Sequence, residues 1–461
     1  MDRRLFLQTF AAASMMQAQN NARKPNIIFI LMDDLGWADL SCYGSRFHQT
    51  PHLDRFASQG MRFTEAYAAC PVCSPTRASI MTGRYPGRLQ LTNFIPGRSP
   101  RPFAKLVPPE FQQQLPLAEN TLAERLKAQG YATAHIGKWH LGGTGFTPDL
   151  QGFDLSFSTG GRHLAGTWTV QHPHQPRPEE DRADRLTLEA ERFIEANRAR
   201  PFFLYLAHHL PHIPLEARSE ISARYEKKQP SNGQYHPVYA AMLETFDSLI
   251  GRLLKKIDNT GLIGNTVVIF TSDNGGLTAP EFANKPTTSN RPLREGKGHL
   301  YEGGIRVPLL VRWPGVTKPG STTSEPTSTV DWVPTLTGEG GTDGKSILPL
   351  LRGSAPSKPR PLFWHYPHYS NQGGEPGAAV RLGDHKLIRF YADDRKELYN
   401  LREDPGEKSD LSAQLPARTK ELAALLNSWL SDIGAAMPTA NPNHDPRRET
   451  EGLRWVPRSN G

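Results

Sequence analysis

KPNIIFILMDD, residues 24–34, is an unbroken apolar run that stops abruptly on two carboxylates. A strand exposed on one face alternates apolar and polar side chains, so a continuous run predicts a strand covered on both faces, as in a parallel sheet. The pattern recurs. In NTVVIFTSDNGG (265–276) the run Val267 to Phe270 ends in Asp273-Asn274, and in PFFLYLAHHLPHIP (201–214) polar residues follow Leu206. Amphipathic helices lie between such runs. Asn120 is expected to cap a helix from Thr121 to Gln129, stopped by Gly130 and followed by the strand YATAHI. Tyr239 to Ile257 reads as a longer helix feeding the strand Thr266–Phe270. This alternation predicts an α/β fold, a large mostly parallel sheet sandwiched by helices. Ligands of such sheets collect beyond the carboxyl ends of the strands. Strands ending in Asp-Asp, Asp-Asn and a His cluster therefore predict one site built from distant segments.

The chain has 461 residues, enough for one large domain and a smaller one. A charged fraction of 22%, a hydrophobic fraction of 37% and a net charge of +8 describe an ordinary globular protein. No dense Lys/Arg run or basic-aromatic repeat is present, which argues against a nucleic-acid partner. Mild basicity suits an anionic substrate, or is only a basic surface. At the start, MDRRLFLQTFAAASMMQAQ sets Arg3-Arg4 before an apolar run, Leu5 to Met16, that is too short to span a bilayer. It resembles a twin-arginine signal with cleavage near Ala18. The expectation is a leader over residues 1–20, passage through the twin-arginine export machinery, and a bacterial periplasmic or secreted protein with no stable membrane span.

Residues 21–351 are expected to form the large domain that carries the site at the strand ends. After about residue 316 the character changes, with TKPGSTTSEPTSTV as a loop, DWVPTL as a short helix and RGSAPSKPRP as a link. From Leu362 the strands LFWHY, AAVRLGDHKLIRFY (turning at Leu382–Asp384) and KELYNL, then a helix from Arg418 to Leu430, predict a C-terminal α+β subdomain over 352–435 with an antiparallel sheet. Residues 436–461 read as an extended tail.

Asp33, Asp34, Asp273 and Asn274 suit a hard divalent cation, Ca²⁺ or Mg²⁺, which takes carboxylate and amide oxygens. The three cysteines, Cys42, Cys70 and Cys73, lack the spacing of a thiolate zinc site, and a Cys42–Cys70 disulfide is conceivable in an oxidising compartment. CSPTRASIMTGR (73–84) reads as a short helix with Ser74 as N-cap, Pro75 at the first position and Gly83 at the end. Cys73 then stands just before a helix N-terminus, where free NH groups attract anions and a thiol ionises more readily; Arg77 adds a fixed charge. Two readings stay open on these grounds: a reactive cysteine beside an anion site, or an inert buried one.

The wording of that segment closely resembles the signature of the formylglycine-dependent sulfatases, arylsulfatase-like members of the alkaline phosphatase superfamily. Further matching segments follow in order: NIIFILMDDLGWADLSCYG, GKWHLG, PFFLYLAHHLPHIPL, TSDNGG, GKGHLYEGGIRVPLLVRWPG and ELYNLREDPGEKSDL. The resemblance implies that Cys73 is oxidised by a formylglycine-generating maturation enzyme to an aldehyde whose hydrate is the nucleophile. It implies Asp33, Asp34, Asp273 and Asn274 as ligands of Ca²⁺, joined by the oxygens formed at Cys73. Arg77 would hold the nucleophile, Lys138 and Lys297 would bind sulfate, His140 would act on the hydrate, and His212 would stand near the leaving oxygen. Asp273 would accept the attacking hydroxyl's proton. Phosphate or phosphonate monoester hydrolysis on the same scaffold, and a non-catalytic sulfoglycan-binding descendant, are the competing readings.

Substrate choice is less legible. HLAGTW after Arg162, HPHQP from His172 and FWHYPHYSNQGG from Phe363 are rich in aromatic and imidazole groups, which suit sugar rings. A sulfated carbohydrate is the expected substrate, with His365 and His368 as candidate contacts. His135, His208 and His209 are expected to be structural, Asp247 a solvated or capping charge, and Glu302-Gly303-Gly304 a turn that shapes the Lys297 loop.

Overall fold

The computed structural model describes residues 24–165, 168–171, 177, 179–281, 285–354 and 358–452. The decisive run forms β1 (Asn26–Met32), buried at all seven positions. Ile28, Ile30 and Met32 enter one hydrophobic core while Ile27, Phe29 and Leu31 enter another. That two-sided burial is why the run cannot alternate. Along the chain follow β2 (Met61–Tyr67), β3 (Ala132–Gly137), β4 (Leu155–Gly161), β5 (Trp168–Gln171), β6 (Phe202–Ala207), β7 (Thr266–Ser272) and β8 (Arg306–Arg312). With the short edge strands β9 (Ser321–Thr323) and β10 (Thr327–Ser328) they make one ten-stranded sheet. Its order is β9-β2-β8-β7-β1-β6-β3-β4-β5, with β10 also on β2. Both pairings of β8, and that of β4 with β5, are antiparallel; the rest are parallel.

Helices cover both faces. α1 (Pro51–Gln59), packed with the first core, precedes α2 (Cys73–Thr82) and α3 (Leu122–Ala128), which pack with the second. α4 (Arg182–Ala196) and α5 (Pro237–Asn259) return to the first. The C-terminal part forms a separate antiparallel sheet of β11 (Leu362–Tyr366), β12 (Gly377–Leu382), β13 (His385–Phe390) and β14 (Lys396–Asn400), in that order. α6 (Pro416–Asp432) packs on it, Trp429 stacking on Phe363 with centroids 4.7 Å apart. Fully buried Lys386 ties this sheet to the rest, with Glu302 and Glu407 each 2.9 Å away. Glu302 thus fixes the turn after the Lys297 loop through buried ion pairs.

Several local expectations change. Thr121, not Asn120, caps α3, because its hydroxyl accepts from Glu124 N while Glu124 Oε2 accepts from Thr121 N, a reciprocal capping box. Cys73 is the first residue of α2 rather than its predecessor, since the Ser74 hydroxyl is drawn away to accept from Ile95 N. Gly83 ends α2 with φ 69°, as expected. The 317–330 segment, expected as a loop, contributes β9 and β10 to the sheet edge. Asp247 is buried rather than solvated, and it caps α1 by accepting from His52 N and Leu53 N at 3.0 and 2.8 Å. The tail is not free: Thr439–Ala440 pairs antiparallel with Leu106–Val107. Cys42, Cys70 and Cys73 are all free thiols, so the conceivable disulfide is not formed. The expected leader over 1–20, the HPHQP stretch (172–176) and the tail beyond 452 lie outside the described residues. Among the described residues no helix is long and apolar enough to cross a membrane.

Candidate active site

The register of four neighbouring parallel strands builds the site. Met32 of β1 pairs with Ser272 of β7, Leu31 of β1 with Ala207 of β6, and Gly137 of β3 with Ala207. All four strands end level, so Asp33-Asp34, Asp273-Asn274, His208-His209 and Lys138 leave the sheet along one edge. Backbone bonds hold this edge: Asp273 N to Met32 O at 3.1 Å, His208 N to Leu31 O at 2.7 Å, and Lys138 N to Ala207 O at 2.8 Å. α2 brings Cys73 and Arg77 over it, and the loop before Glu302 brings Lys297.

The acid side chains interlock with cations. Lys138 Nζ lies 2.6 Å from Asp33 Oδ2, and Lys297 Nζ lies 2.8 Å from Asp34 Oδ2. Arg77, fully buried, donates from Nε to Asp273 Oδ2 at 2.9 Å and from Nη1 to Lys138 O at 2.7 Å. Asn274 Nδ2 donates to Asp34 Oδ1 at 2.8 Å. One potential ligand atom each of Asp33, Cys73 and Asp273 lie within 4.8 Å of one another, as do those of Asp33, Asp34 and His212. Asp33 Oδ1 and Asn274 Oδ1 are buried and accept no hydrogen bond. Buried acceptors are rarely left so. Oxygen donors converging with two acceptors unspent fit a hard divalent cation.

Electrostatics follow from this crowding. Burial would raise the Asp33 pKa, yet Lys138, His212, Arg77 and Lys297 together hold it well below the usual carboxylate value. Asp34 is lowered likewise, with burial opposed chiefly by Lys297 and His212. Asp273 goes the other way, raised by burial and by Asp33 beyond what Arg77 offsets. Burial would deprotonate Lys297, but Asp34 keeps its pKa raised. Burial, reinforced by Lys138, pushes His140 down to about 3. Burial also takes His212 down to about 4, with Lys297 adding to it and Asp34 opposing. Both rings are neutral near pH 7.

Hydrogen bonds fix their tautomers. His140 Nε2 lies 2.6 Å from Ile95 O and must donate, which leaves Nδ1 with its lone pair and no partner. His212 Nδ1 donates to Ile213 O at 2.6 Å, so Nε2 presents its lone pair to Lys297 Nζ, 3.3 Å away.

A cavity of about 420 Å³ opens above this cluster, lined by Asp33, Cys73, Lys138, His140, His212 and Lys297 among others. The structure therefore brings Asp33, Asp34, Cys73, Arg77, Lys138, His140, His212, Asp273, Asn274 and Lys297 together. His365 and His368 do not line it, which corrects their expected substrate contact. Both His365 nitrogens are engaged, by Tyr391 Oη at 2.8 Å and Ala436 O at 3.0 Å, and His368 Nε2 meets Thr92 Oγ1 at 2.8 Å. From that region Asn371 and Gln372 reach the cavity instead. His209, expected to be structural, lines it, as do Thr159, His163 and Arg182. His163 falls in a stretch flagged by composition; Arg182 and Thr159 carried no signal in an ordinary polar setting.

This sheet, covered on both faces and carrying its site at the carboxyl ends of its strands, is an α/β fold of the alkaline-phosphatase-like kind. Family models match residues 25–341 (Sulfatase) and 296–434 (N-sulphoglucosamine sulphohydrolase, C-terminal). The chain is 34% identical to arylsulfatase A of Homo sapiens over 94% of its own length and 92% of the relative's. It is 29% identical to an N-acetylgalactosamine-6-O-sulfatase of Bacteroides thetaiotaomicron, covering 88% and 93%. The crystal structure of Ps i-CgsB in complex with k-i-k-neocarrahexaose superposes with a TM-score of 0.77 at 29% identity, covering 94% and 97%. The chain belongs to the sulfatase family and is a sulfuric ester hydrolase.

Proposed function

We propose that the protein hydrolyses sulfate monoesters of a carbohydrate, with a nucleophile derived from Cys73. The observation that carries this reading is the placement of Cys73 at the start of α2, within 4.8 Å of carboxylate oxygens of Asp33 and Asp273 and in one cavity with Lys138 and Lys297. Asp33, Asp34, Asp273 and Asn274 would hold a divalent cation, Ca²⁺ or Mg²⁺, together with the oxygen formed at Cys73; such an ion supplies Lewis-acid polarisation of the sulfuryl oxygens. Conversion of Cys73 to formylglycine, followed by addition of water to the aldehyde, would supply two geminal hydroxyls, one to attack sulfur and displace the alcohol, and one whose deprotonation expels sulfate and restores the aldehyde. A serine has only one.

The chain's own groups then fall into roles. Lys138 and Lys297 would stabilise the charge that gathers on the sulfuryl oxygens, in a largely buried site where each charge counts for more than in water. Asp273, with a carboxylate oxygen within 4.8 Å of the Cys73 sulfur position, is placed to take the attacking hydroxyl's proton. His212 would serve as the general acid: a bound sulfate ester adds negative charge beside the ring and favours its protonated form, so that its Nε2–H, or the Lys297 ammonium 3.3 Å away, donates to the leaving oxygen. His140 offers its free Nδ1 as the base for the second hydroxyl. Arg77 locks α2 to the strand ends and so positions Cys73.

A relative that acts on N-acetylgalactosamine 6-sulfate and a neighbour bound to an oligosaccharide support a sugar substrate. The Arg3-Arg4 leader supports export through the twin-arginine route after maturation in the cytoplasm. In the domain assignment that goes with this reading, residues 21–351 carry the chemistry and 352–435 help to wall the cavity through Asn371 and Gln372. Turnover of nitrophenyl sulfate against nitrophenyl phosphate tests the reaction class. Sulfate should be strongly preferred; faster phosphate cleavage would contradict the assignment.

A further inference from the structure

On one side of the cavity, away from the paired lysines, stands Arg182, the first residue of α4. Its side chain is buried, at 4% exposure for the residue, and lines the cavity. Nη1 donates to Gly161 O at 2.8 Å and Nη2 to His163 Nδ1 at 2.9 Å, while Nε has no partner. Neither bond is to a carboxylate, and among the described residues Arg182 forms no ion pair. Lys138, Lys297 and Arg77 differ, since each has its own aspartate. Burial lowers the Arg182 pKa to about 10, with Asp33 and Glu216 opposing it; the group stays charged at neutral pH.

The groups that Arg182 donates to are neutral acceptors rather than carboxylates. His163 accepts from Arg182 at Nδ1, so its Nε2 donates to His212 O at 2.9 Å and the ring is neutral. Its pKa lies at about 4, through burial and Arg182. The His209 ring stacks on His163 at 4.8 Å and on His208 at 4.7 Å, and both of its nitrogens lack partners. Thr159 Oγ1, also on the cavity wall, is unpartnered as well. Glu281 lines the cavity too, but it is engaged by Gln372 Nε2 at 2.8 Å.

An unpaired buried guanidinium is strongly unfavourable unless something anionic meets it. We propose that Arg182, with Thr159 and His209, forms a subsite for a second oxyanion on the sulfated saccharide, a carboxylate or a further sulfate close to the scissile ester. The inference rests on the carbohydrate sulfatase reading and narrows it from sulfated sugars to doubly anionic ones. The guanidinium fork matches the planar geometry of carboxylate and sulfate edges.

The test uses three ligands that differ at one position: a monosulfated neutral glycoside, its disulfated counterpart, and the monosulfated uronide. Kd is measured by calorimetry in Ca²⁺-containing buffer with the Cys73→Ala chain, which does not consume them. A charged hydrogen bond gives a tenfold to hundredfold change in affinity, as a rough scale. At least one dianion should therefore bind about tenfold or more tighter than the neutral glycoside, and which one does so distinguishes uronate from sulfate. In Cys73→Ala/Arg182→Met the preference should collapse, while Cys73→Ala/Arg182→Lys keeps part of it. Equal Kd values for all three ligands, or a preference that survives the methionine, would overturn the proposal. Should the methionine variant fail to fold, the ligand series on the Arg182 protein decides alone. Wild-type protein that releases no sulfate from nitrophenyl sulfate would count against the sulfatase chemistry, and the Kd series would still judge Arg182.

Discussion

Arg77 Nε donates to Asp273 Oδ2 at 2.9 Å, and the bond runs from a helix on one face of the sheet to the end of a central strand. Both residues are fully buried. Removing one partner of such a pair strands the other charge, at a cost of about 3–5 kcal/mol. Arg77→Met should therefore lower stability by that order and abolish turnover. Arg77→Lys should fold better, yet still lose about a hundredfold in kcat/KM, because one ammonium cannot reach both Asp273 and Lys138 O. Denaturant melts beside kcat/KM check both, and a lysine variant with wild-type activity would sink the positioning role.

Lys138 and Lys297 differ in what their loss exposes. Each alanine variant should lose roughly 10²–10³ in kcat, the scale of one removed oxyanion donor. Lys297→Ala should suffer more with poor leaving groups than with good ones, since His212 Nε2 faces its ammonium. A series of aryl sulfates of graded leaving-group acidity reads this directly; identical slopes for wild type and variant would remove Lys297 from the proton path.

A divalent cation at Asp33, Asp34, Asp273 and Asn274 should bind the folded chain and not the unfolded one. Ca²⁺ at a hundred times its Kd would then add about 2.7 kcal/mol of stability. Chelation should lower Tm and silence the enzyme, with both restored by Ca²⁺ or Mg²⁺. Asp33→Asn should flatten the Ca²⁺ dependence of Tm. A melt indifferent to chelator and cation would contradict the site.

Buried histidines set the acid limit. Burial pushes His135 and His368 down to about 3, with His365 behind His368, and takes His365 itself to about 4. The unfolded chain takes these protons near pH 6.5, and the folded chain resists them. Stability is thus fully present above about pH 6.5 and falls as pH drops toward the folded values, by about 1.4 kcal/mol per pH unit for each such ring. Urea midpoints from pH 7 to 4.5 should fall steadily, and less steeply in His135→Gln. A flat profile would refute it.

Much of this was legible in the chain because local pattern and tertiary role coincide. β1 reads as a strand between two layers because every side chain from Ile27 to Met32 enters a core, and Asp33 and Asp273 mark where the cores stop. Cys73, Arg77, Lys138, His140, His212 and Lys297 come in segments whose wording resembles a family. Arg182 was not legible: its significance lies in a missing counter-ion, which only the folded surroundings reveal. His365 misled for the same reason. Its partners, Tyr391 and Ala436, come from later segments, and the tail supplies the acceptor that turns a plausible sugar contact into packing. Asp247 read as a solvated or capping charge, and nothing in its own helix shows that it is the capping one, with α1 as the helix it caps.

The central claim is that the thiol position of Cys73 becomes the nucleophile. Inorganic sulfate released from nitrophenyl sulfate by wild type and by Cys73→Ala, each shown by melting to be folded, tests it most directly. Steady release by wild type and none above background by the variant is the predicted result; turnover retained by Cys73→Ala would contradict the account.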